Sequence, residues 1–354
     1  MSTNLFTPIK LGRTELKNRI IMAPLTRARA GAERIPNDLM IKYYEQRADA
    51  GMILTEATAI TPSAVGYANT PGVWSQEQVE GWRKITNAVH AKGSKIFMQL
   101  WHVGRISHSS FLNGQRPVAP SAIRPEGHVS LVRPITNYEI PRALETDEVK
   151  AIVKDYRQAS LNAMEAGFDG VEIHAANGYL IDQFLQDSTN KRDDIYGGSI
   201  ENRTRFLLEI TDELIEVWGA DRVGVHLAPR CDSHDMGDSD PLALFGHVVD
   251  ELNKRRIAFI FTRDPLDEGS LFPKLKEKFD GVLIANQKFT KATAEKALED
   301  KIADAISFGV PFIANPDLVE RLSKDAPLNG PVFETFYGPD HVGYTDYPTL
   351  KDLS

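Results

Sequence analysis

Eight short apolar runs, each too short for a helix and followed by an amphipathic stretch, constrain this chain more than any other feature. They are Ile20–Leu25, Met52–Ala57, Lys95–Leu100, Gly170–Ile173, Val223–Leu227, Ala258–Thr262, Val282–Ala285 and Ala305–Phe308. Such runs read as strands buried on both faces. Strands alternating with helical patterns mean a parallel sheet. Eight units in 354 residues fit a closed barrel better than an open doubly wound sheet. The expected class is α/β, a single (β/α)8 barrel of the TIM type over residues 1–354.

The intervening helices show their boundaries. Asn37–Ala50 ends at Gly51, which reads as a C-cap, Ser75–Ala91 ends before Gly93, and Thr146–Ala166 is closed by Gly167. Ser199–Val217 and Leu242–Leu252 repeat the pattern. Phe6–Ile20, with Gly12 and Arg13 between two short runs, reads as a hairpin that serves as lid or plug. The interval from about 101 to 146 is rich in Pro, Ser, Arg and His and too long for an ordinary connection, so it is expected to cap one mouth. Pro327–Pro348, with five aromatic residues, is expected to fold back over the barrel.

Composition narrows the partners. A net charge of −8 without a basic stripe argues against nucleic acid. There is no signal-peptide pattern and no apolar stretch of about 18 residues. A cytoplasmic protein is therefore expected, with no membrane partner. The single Cys231 excludes an internal disulfide and any cysteine-based cluster, and no metal site is expected. The loop Cys231–Asp240 has thiol, imidazole and carboxylates but no metal-ligand spacing. Oligomeric state is left open.

In a (β/α)8 barrel the active site lies at the C-terminal strand ends. Reading the residues just past each strand together collects Pro24, Leu25 and Thr26, then Ala57, then Gln99 and Trp101. It continues with His174, Asn177 and Tyr179, then His226, Arg263, Asn286, Gln287 and Gly309. The set is polar, aromatic and poor in carboxylates, which disfavours glycosidase chemistry. Between Gly170 and Phe184 an imidazole, an amide and a phenol stand among small residues. His174 and Asn177 can both donate to one oxygen, and Tyr179 can give a proton. Equally, all three can merely satisfy backbone groups in a tight strand-to-helix loop.

Five segments carry a resemblance. Asn18–Arg27 (NRIIMAPLTR), Gln99–Arg105 (QLWHVGR), Glu172–Tyr179 (EIHAANGY), Asp193–Arg203 (DDIYGGSIENR) and Phe312–Asp317 (FIANPD) occur in order, with Gly343–Pro348 (GYTDYP) at the end. Together they resemble the Old Yellow Enzyme family, FMN-dependent, NAD(P)H-oxidising ene-reductases on a (β/α)8 barrel. The resemblance implies reduction of activated alkenes such as enones and nitroalkenes, with NADPH or NADH as reductant. His174 and Asn177 would bind the carbonyl or nitro oxygen, and Tyr179 would protonate the neighbouring carbon. Ala23, Pro24, Leu25, Thr26, Ala57, Gln99, His226 and Gly309 would hold FMN. Tyr67, Trp101 and Tyr344 would shape the substrate pocket.

Two departures from that pattern concern the flavin. Where the family usually has arginine after the fifth strand this chain has His226, and where it has arginine after the eighth it has Val310. The loop after strand seven, commonly glycine-rich, reads Asn286, Gln287, Lys288, Phe289. A charge-assisted hydrogen bond is worth roughly 1.5–3 kcal/mol, so losing two weakens FMN by about 3–6 kcal/mol, or about two to four decades. Lys288 and Arg263 are placed to recover part of this. The expectation is weak FMN binding. The alternative is a barrel without tightly held FMN that acts as a non-redox isomerase or a carbonyl or phenol binder.

Overall fold

The computed structural model describes residues 4–130, 132–231 and 233–353, so Asp232 of the acidic loop lies outside the described residues. Strands β1 (Ile9–Leu11) and β2 (Thr14–Leu16) precede β3 (Ile20–Met22), helix α1 (Asp38–Gln46), β4 (Met52–Leu54), β5 (Thr58–Ala59) and α2 (Gln76–Ala91). Then come β6 (Lys95–Trp101), β7 (Val118–Ala119), β8 (Arg142–Ala143), α3 (Thr146–Glu165), β9 (Gly170–Ala175), α4 (Leu180–Leu185) and α5 (Ile200–Trp218). The remainder is β10 (Val223–Leu227), α6 (Pro241–Lys254), β11 (Phe259–Arg263), α7 (Phe272–Glu277), β12 (Val282–Asn286) and α8 (Lys291–Glu299). Last are β13 (Ala305–Phe308), α9 (Val310–Ala314) and α10 (Leu318–Ser323).

Eight strands pair in parallel in the order β3, β4, β6, β9, β10, β11, β12, β13, and β13 returns to β3. The eight apolar runs are these strands, and the (β/α)8 barrel expected from them is the fold. Register puts Gln99 beside Glu172 and His174 beside His226. Side chains alternate along a strand, so these positions form layers inside the barrel near its C-terminal mouth.

The opposite end is plugged. Leu11 and Leu16 of the β1–β2 hairpin are buried in the cluster that contains Met52, Phe97, Phe259 and Ile284. The hairpin expected as lid or plug is thus a plug at the end away from the mouth. The outer helices bury the stripes read from their spacing: Val79, Trp82, Ile85 and Val89 of α2 are all buried. Ser75 and Gln78 close a capping box at its start.

One boundary differs. α1 stops at Gln46, well before Gly51. Gly51 is glycine for another reason: a Cβ there would meet the Asn18 carbonyl oxygen at 2.2 Å.

Between β6 and α3 the chain forms the two-stranded parallel sheet β7–β8 and packs Val129 and Tyr138 against Trp101 and Tyr179. It roofs one side of the mouth. The C-terminal segment returns to the same face and is held by buried arginines. Arg27 Nη2 donates to the Gly343 carbonyl at 2.7 Å, and Arg47 Nη2 donates to the Tyr344 carbonyl at 3.3 Å. Among the described residues no helix is long and apolar enough to cross a membrane.

Candidate active site

At the mouth a cavity of about 690 Å³ opens among the strand ends. Ala23, Pro24, Leu25 and Thr26 line one wall, with Ser307, Phe308, Gly309 and Val310 beside them. Asn177, His226, Phe261 and Arg263 line the other, and Asn286–Phe289, Phe336 and Tyr337 complete it.

The strand-to-helix loop after β9 is locked before it presents anything. Asn177 has φ 58 and Gly178 φ 80. At Gly178 this left-handed turn passes so close to the next loop that a Cβ would meet the Ser233 carbonyl oxygen at 2.8 Å. Gly178 N–H donates to Asp182 Oδ2 at 2.8 Å, and Gln183 Nε2 donates to the Gly178 carbonyl at 2.7 Å. The backbone groups of the turn are therefore satisfied by Asp182 and Gln183. That leaves the side chains of His174, Asn177 and Tyr179 for other partners.

His174 and Tyr179 lie in an aromatic cluster. The Tyr179 ring stands edge-on to Trp101 at 4.9 Å and to His174 at 5.0 Å, and Tyr67 stacks on Trp101 at 5.4 Å. The Tyr179 and Tyr67 hydroxyls share a hydrogen bond of 2.9 Å. Burial pushes both phenols above the usual tyrosine range, so both stay protonated at neutral pH. His174 stacks on His226 at 5.1 Å with 14° between planes. Burial, reinforced by Arg263, takes His174 down to about 3. His226 is depressed for the same reasons and also by His174, so the pair is neutral.

Below them Gln99 Nε2 donates to Glu172 Oε2 at 2.6 Å and to His226 Nδ1 at 3.1 Å. Glu172 is raised to about 8, because burial outweighs the Gln99 hydrogen bond. His174 Nδ1 and His226 Nε2 are buried without a partner among the described residues. A buried donor or acceptor left unpaired costs about 1–3 kcal/mol, so these atoms mark a place built for a bound group.

Of the expected cofactor set, Ala23, Pro24, Leu25, Thr26, His226 and Gly309 line the one cavity. Gln99 reaches it only through His226, and Ala57 packs with Trp101 under the roof. Tyr344 does not join them. It is fully buried, stacked on Tyr43 at 4.1 Å with Arg29 over its ring at 4.3 Å, so it is a structural residue of the tail. Tyr337, seven residues earlier, lines the cavity instead. Phe261, Phe289 and Ser307 were also missed, although alternation from Arg263 points Phe261 inward. Glu172 lay unread inside a motif, yet a carboxylate in an apolar strand is itself a signal.

The side chains present fit a flat aromatic group with polar edges and an anionic tail. Apolar walls from Pro24, Leu25, Phe261 and Phe289 suit the ring. The unpaired His226 Nε2 suits a polar edge, and the cations Lys288 and Arg263 suit a phosphate, where Val310 has nothing to offer. FMN has this form.

A model of the NADH:flavin oxidoreductase / NADH oxidase family matches residues 4–329. The chain is 44% identical over 365 residues to 12-oxophytodienoate reductase 1 of Oryza sativa subsp. japonica, covering 99% of this chain and 94% of the relative. Among solved structures, the Old Yellow Enzyme homologue from Zymomonas mobilis superposes with a TM-score of 0.95 at 46% identity, covering 98% of this chain and all of that one. Morphinone reductase in complex with tetrahydroNAD superposes equally well, TM-score 0.95 at 48% identity, with 99% and 98% of the two chains covered. These likenesses favour the flavin reading over the non-redox alternative. Spanning nearly its whole length and its whole barrel, they place the chain in the Old Yellow Enzyme family of flavin oxidoreductases.

Proposed function

We propose that the chain reduces the carbon–carbon double bond of an alkene conjugated to a carbonyl or nitro group, taking electrons from NADPH or NADH through FMN. The observation that carries this reading is the neutral His174 imidazole standing between the Tyr179 phenol, at 5.0 Å, and His226, at 5.1 Å, where His226 and Asn177 line the cavity at the mouth.

When bound, FMN supplies the hydride. Pro24, Leu25 and Thr26 would lie along its ring, and Gln99 and His226 would serve its polar edge. Gly309, Lys288 and Arg263 would meet its phosphate end. His174 and Asn177 hold the substrate oxygen. Their hydrogen bonds strengthen as negative charge gathers there, so they act on the transition state more than on the ground state. Tyr179 gives its hydroxyl proton to the alkene carbon, and the Tyr67 hydroxyl at 2.9 Å steadies the phenol that does so. Trp101, Tyr67 and Tyr337 bound the substrate, and the segment from about 101 to 146 caps a single barrel domain in a cytoplasmic protein.

An anaerobic assay with saturating FMN, NADPH or NADH and cyclohex-2-enone tests the proposal. Turnover is expected with at least one nicotinamide. None at saturating FMN would sink it.

A further inference from the structure

Glu172 takes no part in the reaction as drawn. It is fully buried, and no cation pairs with it among the described residues. Its register neighbours are Gln99 on β6 and Gly224 on β10. Gly224 offers no side chain, and the Phe259 ring fills the space where its Cβ would stand. Phe259 packs edge-on to Phe97 at 5.7 Å, and Phe97 shares the inward face of Gln99 two residues on, so the carboxyl sits above an apolar floor. Its one hydrogen bond comes from Gln99 Nε2 to Oε2, and Oε1 has no partner among the described residues.

That one contact leads to His226. The same Gln99 Nε2 lies 3.1 Å from His226 Nδ1, and the ring is held between His174 at 5.1 Å and Phe261 at 4.4 Å. A single amide thus faces a carboxyl and an imidazole and presents one kind of group to both. With its NH2 turned to them, as here, the carboxylate and Nδ1 both accept, and the one hydrogen of the neutral ring is on Nε2. With its carbonyl turned to them, the carboxyl and Nδ1 must both carry hydrogens, and Nε2 is bare. A proton on Oε1 would find no acceptor, so a protonated Glu172 is served only through Oε2 and needs the turned amide. Nε2 is the atom left without a partner, on a residue that lines the cavity.

We propose that Glu172 and Gln99 form a relay that decides which group His226 offers to a ligand in the cavity. An ionised Glu172 makes Nε2 a donor, suited to a carbonyl oxygen on the polar edge of bound FMN, and a protonated Glu172 makes it a bare acceptor. Glu172 is thereby a positioning residue that acts through two side chains. This rests on the reading above only in taking the ligand to be FMN. Arginine can only donate, so the switch belongs to the histidine that this chain has at position 226.

Passing from the donor to the acceptor state takes up one proton, at Glu172, while the ring exchanges its Nε2 hydrogen for one on Nδ1 with solvent in the cavity. Burial raises Glu172 to about 8, so His226 is the donor above that value and the acceptor below it. Of the titratable groups around the ring, His174 on β9 stays neutral and Tyr179 stays protonated on both sides of it. Arg263 on β11, with Cys231 and Lys288, is common to every protein compared.

Nitrogen-15 spectra of histidine-labelled protein without FMN read the ring directly, since a protonated and a bare ring nitrogen differ widely in shift. His226→Gln identifies its signals among the nine histidines. From pH 7 to pH 9, one unit either side of the Glu172 value, the two His226 nitrogens of the wild type are expected to exchange roles while the ring stays neutral. Glu172→Gln, which cannot ionise, and Gln99→Met, which breaks the relay, should both lose that exchange. In fluorescence titrations with FMN, the ratio of affinities at pH 9 and pH 7 should be roughly three- to tenfold larger for the wild type than for Glu172→Gln. One tautomer across the whole range in the wild type, or an exchange that survives in Glu172→Gln, overturns the relay. Equal ratios in the two proteins overturn the donor role toward FMN. Melting curves identify a variant that has unfolded, and the wild-type spectra then carry the test. Because these spectra need neither flavin nor substrate, a lack of enone turnover would sink the reductase reading and leave the relay standing.

Discussion

The two sides of the barrel mouth are built in opposite ways. On the side of β6 and β9, Trp101, His174, Tyr179 and Tyr67 form a continuous stack, with Trp101 and His174 buried and each polar tip placed by packing. On the side of β11 to β13 the wall holds Arg263, Gln287, Lys288 and Val310, and Lys288 is exposed. Gln287 has φ 136 and Lys288 φ 55, both in the region that favours glycine. The backbone there keeps a shape that glycine adopts freely, while side chains with Cβ atoms occupy it at a cost of about 1–3 kcal/mol each. The first side is fixed by packing. The second has a strained backbone, with one cation, Lys288, exposed and the other, Arg263, donating to Asn177 Oδ1 and Gln287 Oε1.

The largest test of that contrast is on the packed side. Tyr179→Phe should slow the half-reaction with an enone by roughly a hundred- to ten-thousand-fold while flavin reduction by the nicotinamide is nearly unchanged. Stopped-flow measurement of the two half-reactions separates them, and an equal loss in both would remove Tyr179 as the specific acid.

On the other side, Val310→Arg should tighten FMN by roughly ten- to a hundredfold, read by fluorescence titration of the flavin. Unchanged affinity would mean that Lys288 and Arg263 already meet the phosphate in full. His226→Arg should gain less, since a new cation would stand beside Arg263.

Gln287→Gly should stabilise the fold by about 1–2 kcal/mol through relief of its positive φ. Urea unfolding reports this as a higher midpoint at constant slope, and a lower midpoint would show that the Arg263 contact outweighs the strain.

Smaller still, Tyr67→Phe removes one neutral hydrogen bond to Tyr179 and should slow alkene protonation by roughly two- to fivefold. A loss as large as that of Tyr179→Phe would make Tyr67 the proton donor in its own right.

The last expectation is of no change. Burial, reinforced by Arg263, holds His174 down at about 3, well below the ordinary histidine value, so it is neutral across the range from pH 5 to 8. Binding of a neutral enone should therefore be flat from pH 5 to 8, and a step near pH 6.5 would show that His174 is charged in the working site.

Much of this was legible along the chain because it depends on neighbours in sequence. Buried strands declare themselves as short apolar runs, and Ser75 with Gln78 or Asn37 before α1 declare helix starts. Gly51 was misread because a glycine that permits close approach by Asn18 looks the same in sequence as a C-cap. Tyr344 was misplaced because an aromatic residue in a tail carries no mark of which face it will turn inward.

The sequence by itself determined the barrel, its closure by eight units, the family, and the identity of the groups at the strand ends, since all of these follow from local period and motif order. Only the tertiary structure decided which of those groups meet. Tyr67 and Tyr179 touch across 112 residues and Arg263 and Asn177 across 86. A contact of that separation depends on strand register, on inward alternation and on how the roof and tail pack over the mouth, and none of these is written in any single stretch of residues.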